Sequence, residues 1–346
     1  MAQSDSPRLS SFEDYSAGQS LTLSVCPGYG RDISSSIRVR IHEFHTRTLS
    51  CTMLVDVIDG VDILPSPAFL KLFDRRFSDQ LRSDNKIKDW TAQLEQTYIQ
   101  AARDGAVGEF LHKLHNIPDF QYDTEDDWDD AENEAYLDDE LFKLFRTEIA
   151  TYHVLREQEG KTVPELLAVV NLNLDPGPNP TTDSKVGPQI PNSVQFHQFQ
   201  VKGILLQYIE GFSLRDVPKH YPRSTWQEIT DQAVSITRLM GDYNILNNDI
   251  RLDNYIVVAS PGGHEGRPYR VYMIDFGLCR IRGEDETDFE WGRAKYNMDE
   301  EGAVGLIMKM VLKRDYGFEL KYKSSGRYDE WAQTEEEESD FRERSG

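Results

Sequence analysis

The stretch Ile245-Leu246-Asn247-Asn248-Asp249-Ile250-Arg251-Leu252-Asp253-Asn254, followed by the apolar run Tyr255-Ile256-Val257-Val258, decides how the rest of the chain is read. Asp249 and Asn254, five positions apart, form a weak pattern in isolation, and an Asx-rich turn between core strands is the plain alternative. The surroundings sharpen it. The turn-rich segment from Pro261 to Pro268 closes the first strand, and a second apolar strand, Val271-Tyr272-Met273-Ile274, delivers Asp275-Phe276-Gly277. The order is therefore a loop with Asp and Asn, a strand, a turn, a strand and a further Asp.

That order resembles the catalytic core of the protein-kinase-like superfamily, whose catalytic-loop Asp and Asn stand five apart and whose second acidic residue opens an Asp-Phe-Gly motif. The resemblance covers about residues 35 to 320 and implies a two-lobed α+β fold that uses ATP and Mg²⁺. On it, Asp249 orients an incoming hydroxyl and accepts its proton, while Arg251 neutralises transferring phosphate or pairs with a carboxylate. Asn254 and Asp275 fall on the metal-ligand positions, which suits a hard cation that prefers oxygen donors.

Upstream, Ile37 to Ile41 and Cys51 to Ile58 read as a hairpin whose loop, His42 to Ser50, contains no Gly. The kinase template places a Gly-rich loop there, so His45 or Arg47 is the candidate for side-chain contacts to phosphate. Pro67 to Asp74 reads as a third strand enclosing Lys71, which the resemblance assigns to the phosphates, braced by Glu148 on a helix whose apolar face carries Phe145, Ile149, Tyr152 and Leu155. Between them, Ile87, Trp90, Leu94, Tyr98 and Ala101 predict an amphipathic helical insert, and the carboxylate run Asp123 to Asp130 predicts a solvated, mobile loop. Val163 to Val170 and Phe199 to Ile209 read as further strands, and Gln207, Tyr208 and Ile209 are the expected hinge against adenine.

In the second half, Ser224 to Gln227 has capping-box spacing before the stripe Ile229, Ala233, Ile236 and Met240. Asp299 introduces a helix resembling the central one of a kinase C-lobe. Two departures bear on activity. Asn247-Asn248 stand where kinases carry His-Arg, and only 24 positions separate Asp275 from Asp299, with no Ala-Pro-Glu, too few for a peptide-docking segment. The leading expectation is phosphoryl transfer to a small-molecule or other non-peptide hydroxyl. The alternatives are a binding-only pseudokinase, and a kinase fold turned to nucleotidyl transfer or to tRNA-dependent aminoacyl transfer such as cyclodipeptide synthesis.

Sixty acidic against 38 basic side chains give a net charge of -22 and disfavour nucleic acid as a partner. Arg280, Arg282, Arg293 and Lys295 are the best candidates for a local basic strip on which tRNA could still bind. Three cysteines without metal-ligand spacing, a polar start at Met1 and no apolar run of spanning length predict a cytoplasmic protein with no membrane partner. The expected organisation is an irregular arm at residues 1–34, an N-lobe at 35–209 with a helical and acidic insert at 79–140, a C-lobe at 210–323 and an acidic tail at 324–346.

Overall fold

A computed structural model describes residues 15–31, 33, 35–59, 64–174, 199–264 and 267–332. These fall into two compact units, one within Met1–Phe145 and Glu165–Tyr208, the other within Arg146–Pro164 and Ile209–Gly346.

The first unit is built on a closed antiparallel barrel of β1 (Ser20–Gly30), β2 (Ser36–Arg47), β3 (Cys51–Val57), β4 (Ala68–Phe73), β5 (Leu166–Asn173) and β6 (Gln200–Gln207), in the order β1-β2-β3-β4-β6-β5. Period-two alternation explains the strands. Ile37, Val39 and Ile41 are buried while Arg38 and Arg40 between them are exposed, so one face of β2 lines the core. The expectation of an irregular arm to residue 34 is corrected here. Leu21 and Leu23 alternate with polar residues and are buried, and β1 closes the barrel by pairing with β2 and, through Ser24 with Asn171 and Val25 with Val170, with β5. Closure leaves no unpaired barrel edge. At Gly30, where φ is +74°, a Cβ would lie 2.4 Å from the Leu167 carbonyl oxygen, so the closing strand passes β5 only as glycine.

The insert comprises α1 (Asp79–Asp84), α2 (Ala92–Asp104), α3 (Ala106–Asn116), α4 (Phe120–Thr124) and α5 (Asp130–Val154), and the division between units falls within α5, after Phe145. The predicted amphipathic helix is two helices: Thr91 caps α2 at the Leu94 amide and left-handed Gly105 ends it. Tyr98, Ala102, Val107, Phe110, Ala135 and Tyr136 form their core. The acidic run Asp123 to Asp130 is not the mobile loop expected of it. Trp128 stands edge-on to Phe110, centroids 5.0 Å apart, and Asp129 accepts from the Ala131 and Glu132 amides while Glu132 accepts from the Asp129 amide. Carboxylates in such a run are favoured at a helix N-terminus, where they meet unpaired amides and the positive end of the dipole.

A buried ionic network fastens the insert to the end of β4. Arg75 donates to both oxygens of Glu95 (2.9 and 2.8 Å) and to Glu134 (2.5 Å), and Arg82 donates to Glu134 at 2.7 and 2.8 Å. Beside it, Asp74 accepts from Arg76 and from the Tyr15 hydroxyl (2.7 Å). Burial pushes the Asp74 carboxyl up, but the Arg76 charge and hydrogen bonds outweigh it and leave the carboxyl below its ordinary value.

The second unit contains β7 (Phe212–Ser213), α6 (Val217–His220), α7 (Trp226–Asp242), β8 (Ile245–Asn247), the hairpin β9 (Tyr255–His264) and β10 (Arg267–Met273), β11 (Cys279–Ile281), α8 (Asp288–Met298) and α9 (Glu300–Tyr316). The stripe Ile229, Ala233, Ile236 and Met240 of α7 is buried as its spacing requires. No capping box starts that helix: it is entered through a 3-10 turn, and Thr225 donates to the Pro222 carbonyl instead. The box occurs at α8, between Thr287 and Glu290. The tail expected from residue 324 is not peripheral over its described part. A Cβ on Gly292 would lie 2.2 Å from the Trp331 ring, and Arg327 pairs with Asp242. The run Glu335 to Glu338 lies outside the described residues. Among the described residues no helix is long and apolar enough to cross a membrane.

Candidate active site

The loop between β8 and β9 is held by its own amides and side chains. Asn254, in the 3-10 turn Leu252–Asn254 and almost fully buried, donates through Nδ2 to the Asp249 carbonyl (2.9 Å) and to Asp249 Oδ2 (3.2 Å). A spacing of five thus places the two side chains of the motif in contact. Arg251 Nη2 lies 2.9 Å from Asp249 Oδ2 and its Nε donates to Asn254 Oδ1 at 3.3 Å, so Arg251 takes the carboxylate-pairing role of its two expected ones.

Asp275 follows β10, and the Ile274 amide donates to the Asn254 carbonyl at 2.9 Å, which ties the start of Asp-Phe-Gly to the end of the loop. Asp275 has φ +65°, a left-handed conformation that Asp and Asn tolerate better than other side chains and that marks functional turns. Phe276 is fully buried and meets Tyr152 of α5 edge-on, centroids 5.1 Å apart. Glu148, one turn before Tyr152, is buried in the same unit. Among the described residues no three His, Cys, Asp or Glu side chains converge to hold an ion unaided. Asn254 and Asp275 carry side-chain oxygens of the kind a hard cation such as Mg²⁺ takes.

In the first unit, Lys71 lies on β4 between Thr52 and Ile204, is 7% exposed, and sets its Nζ 5.4 Å from the Phe73 ring centroid. Gln207 ends β6 with its amide donating to the Glu165 carbonyl (2.9 Å) and its Oε1 accepting from the Glu165 amide (3.2 Å), while the division between units falls between Tyr208 and Ile209. Gln207 therefore belongs to the sheet, and Tyr208 and Ile209 are the linking positions. His45 and Arg47 are engaged with rings: Arg47 lies over Phe77 at 4.9 Å and His45 sits 5.9 Å from Phe69.

Sequence reasoning missed Glu300 and read Lys295 only as part of a basic strip. Asp299, taken as the acid introducing the central helix, caps it by accepting from the Gly302 amide at 3.0 Å, and it is the next residue, Glu300, that accepts from the Asn247 amide at 2.8 Å. Glu300 is ion-paired with Lys295, whose Nζ also donates to the Ile245 carbonyl at 3.0 Å. Asn247 is fully buried, and its Oδ1 accepts from the Asp249 amide at 2.8 Å. The only sequence signal was Asp299-Glu300-Glu301 at a helix start, which does not say which carboxylate turns inward.

The residues proposed as a basic strip are already engaged. Arg280 is bidentate to Glu286 (2.6 and 2.9 Å), Arg282 pairs with Asp288 at 2.6 Å, Arg293 lies 4.6 Å over Phe289, and Lys295 is buried against Glu300.

No family model matches the chain. It is 28% identical over 81 residues to Serine/threonine-protein kinase 1 of Heliothis zea nuclear polyhedrosis virus, covering 22% of this chain and 27% of that protein. It is 24% identical over 144 residues to Serine/threonine-protein kinase 1 of Lymantria dispar multicapsid nuclear polyhedrosis virus, covering 37% and 49%. The chain thus spans half or less of the length of these curated relatives. Among solved structures it is similar to the Rio2 kinase-ADP/Mg²⁺-phosphoaspartate complex from Chaetomium thermophilum (12% identity, TM-score 0.43, 84% of this chain and 59% of that one). The Rio2 kinase from the same organism is similar to the same degree (13%, TM-score 0.41, 84% and 62%). The strand and loop order described above, with the similarity to viral kinases, is that of a divergent protein-kinase-like α+β fold.

Proposed function

We propose that the chain is a kinase-like phosphotransferase that uses Mg-ATP to phosphorylate a small-molecule or other non-peptide hydroxyl. The observation that carries the reading is the Asp249–Asn254 contact, joined through the Ile274 amide to a left-handed Asp275. Asp249 is the proton acceptor for the incoming hydroxyl. Asn254 and Asp275 supply oxygens to Mg²⁺, which when bound would neutralise phosphate charge; Lys71 is the cation for the phosphates. Arg251 orients the Asp249 carboxylate through its 2.9 Å contact. The short course from Asp275 through the three-residue strand β11 to α8 at Asp288 supports a non-peptide acceptor, because it leaves few residues for an extended docking segment.

A protein hydroxyl is the second reading, favoured by the names of the two viral relatives. Incubation with labelled Mg-ATP and, separately, panels of sugar, amino-alcohol and nucleoside acceptors and of Ser/Thr peptides tests both. Label on a small acceptor supports the first reading; label confined to peptides replaces it with the second; nucleotide binding without transfer in either panel leaves the pseudokinase. The pairing of Arg280, Arg282, Arg293 and Lys295 within the second unit argues against the tRNA-dependent alternative.

A further inference from the structure

We propose that the outer face of α9 docks a second copy of this chain, the two α9 helices crossing in the antiparallel sense about Leu306 and Ile307 to form a symmetric dimer. Between Gly302 and Leu312 the only charged side chain is Lys309, so α9 is apolar on more than one side, the pattern of a helix covered all round. Its inner side is covered within the chain: Val304, Met308 and Leu312 are buried and α9 packs on α7. Its outer side is not. Leu306, Ile307 and Met310 are 44, 40 and 58% exposed, and with half-buried Ala303 they form one stripe at i, i+3, i+4 and i+7. Tyr296 of α8, also exposed, borders the same cavity as Leu306, so the apolar surface continues onto α8.

Reversed end for end, the stripe is its own complement. One turn before Ala303 stands Asp299, exposed even as its Oδ1 caps the helix at the Gly302 amide. One turn after Met310 stands Arg314, its side chain 74% exposed and paired at the surface with neighbouring Asp315, a pairing of small worth. An antiparallel α9 centred between Leu306 and Ile307 sets Leu306 of one copy against Ile307 of the other, small Ala303 against long Met310, and Asp299 against Arg314. The helix dipoles then oppose, and each acidic N-terminus meets a basic C-terminus. A parallel copy would instead set Asp299 against Asp299 and Arg314 against Arg314. The same patch serves both copies, as a two-fold interface requires. Any other partner would need a matching apolar stripe with its basic and acidic ends in the reverse order, which α9 of a second copy already has. One helix face per protomer is a small interface, so a dissociation constant on the order of micromolar is expected.

Sedimentation equilibrium of the full chain, from about 1 to about 500 µM, tests this at about 0.15 M salt, where the repulsion between two acidic proteins is screened beyond roughly 8 Å. A reversible monomer–dimer equilibrium is expected. Ile307→Lys places two like charges beside the two-fold axis and should weaken association about 100-fold or more; Arg314→Glu, at an exposed position that leaves the fold intact, should weaken it about tenfold. Circular dichroism melts confirm that both variants fold. Register is read by combining Ala303→Cys with Met310→Cys under mild oxidation. Seven residues apart on one helix, these positions have Cα atoms about 10.5 Å apart, beyond the roughly 7 Å that a disulfide spans, so a bridge forms only between copies. The double variant is expected to give a covalent dimer, and Ala303→Cys alone to give no more than the wild type with its Cys26. A monomer at every concentration, or association that Ile307→Lys and Arg314→Glu leave unchanged, overturns the proposal and leaves the face to a different partner. Equal cross-linking by the single variant overturns the antiparallel register. None of these readouts depends on phosphoryl transfer.

Discussion

Replacing Asp249 by Asn separates the chemistry of this residue from its structural part. The Asp249 amide, which donates the loop's hydrogen bond to Asn247 Oδ1, is untouched by the change, and so is the Asn254 bond to the Asp249 carbonyl. What is lost is the carboxylate bond to Arg251, a pair whose side chains are 26% and 53% exposed, and the 3.2 Å contact with Asn254 Nδ2. Pairs this open to solvent contribute about 0–1 kcal/mol, so the melting midpoint is expected to move by only a few degrees. Loss of a positioned proton acceptor lowers turnover by about 10²- to 10⁴-fold, or roughly 3–5 kcal/mol of barrier. The kinetic effect thus exceeds the structural one several-fold, and a coupled ADP-release assay with the best acceptor, run beside thermal melts and nucleotide titration, compares them directly. A well-folded Asp249→Asn protein that turns over at the wild-type rate would falsify the assignment.

Asp275→Asn keeps a side chain that tolerates φ +65° and is expected to fold normally while losing Mg²⁺-dependent nucleotide affinity; calorimetric titration with and without Mg²⁺ reads this, and equal affinities in mutant and wild type sink the metal assignment. Lys71→Met and Glu148→Gln are each expected to weaken ATP binding about tenfold or more, and an unaltered dissociation constant for either removes that residue from the phosphate site. Glu134→Gln leaves Arg75 and Arg82 with an uncharged partner in the first unit and is expected to cost about 3–5 kcal/mol in urea unfolding at pH 7. Burial pushes the Glu134 carboxyl up, but the Arg82 hydrogen bonds and the two arginine charges outweigh it and hold it below the ordinary value. The stabilisation is therefore present above the ordinary carboxylate range of about 4–5 and lost as pH falls through the lowered folded value, so the gap between wild type and variant should close in acid; a gap that stays constant refutes the network's sign. Bulk tRNA at two salt concentrations is expected to bind weakly, and submicromolar, salt-steep binding abolished by neutralising Arg280, Arg282, Arg293 and Lys295 would restore the aminoacyl-transfer reading.

The sequence by itself determined the elements whose information is local. Asp249, Asn254 and Asp275 were legible because a spacing of five and a strand–turn–strand order are properties of neighbouring residues, and the loop contacts follow from them. Ile37, Val39 and Ile41, and the stripe on α7, were legible because period two and period 3.6 each bury one face wherever the partner lies. Tertiary structure alone decided what depends on a distant partner. The alternation Leu21-Thr22-Leu23-Ser24-Val25 was present, but whether a strand so near the start joins anything is settled by β5, more than 130 positions away, and by the absence of a Cβ at Gly30. The carboxylates of Asp123 to Asp130 read as a solvated loop because charge runs usually are; most of them are exposed, but the start of α5, capped by Asp129, and the Phe110–Trp128 contact gave the run helical structure that its composition does not show. Arg75, Arg82, Glu95 and Glu134 gave no sequence signal, since an ionic side chain enters a core only when its counter-charges arrive from other elements. For the same reason Glu300 was passed over in favour of Asp299: adjacent carboxylates at a helix start are alike in sequence, and only the packing of α9 against the loop turns one to its own helix and the other to Asn247.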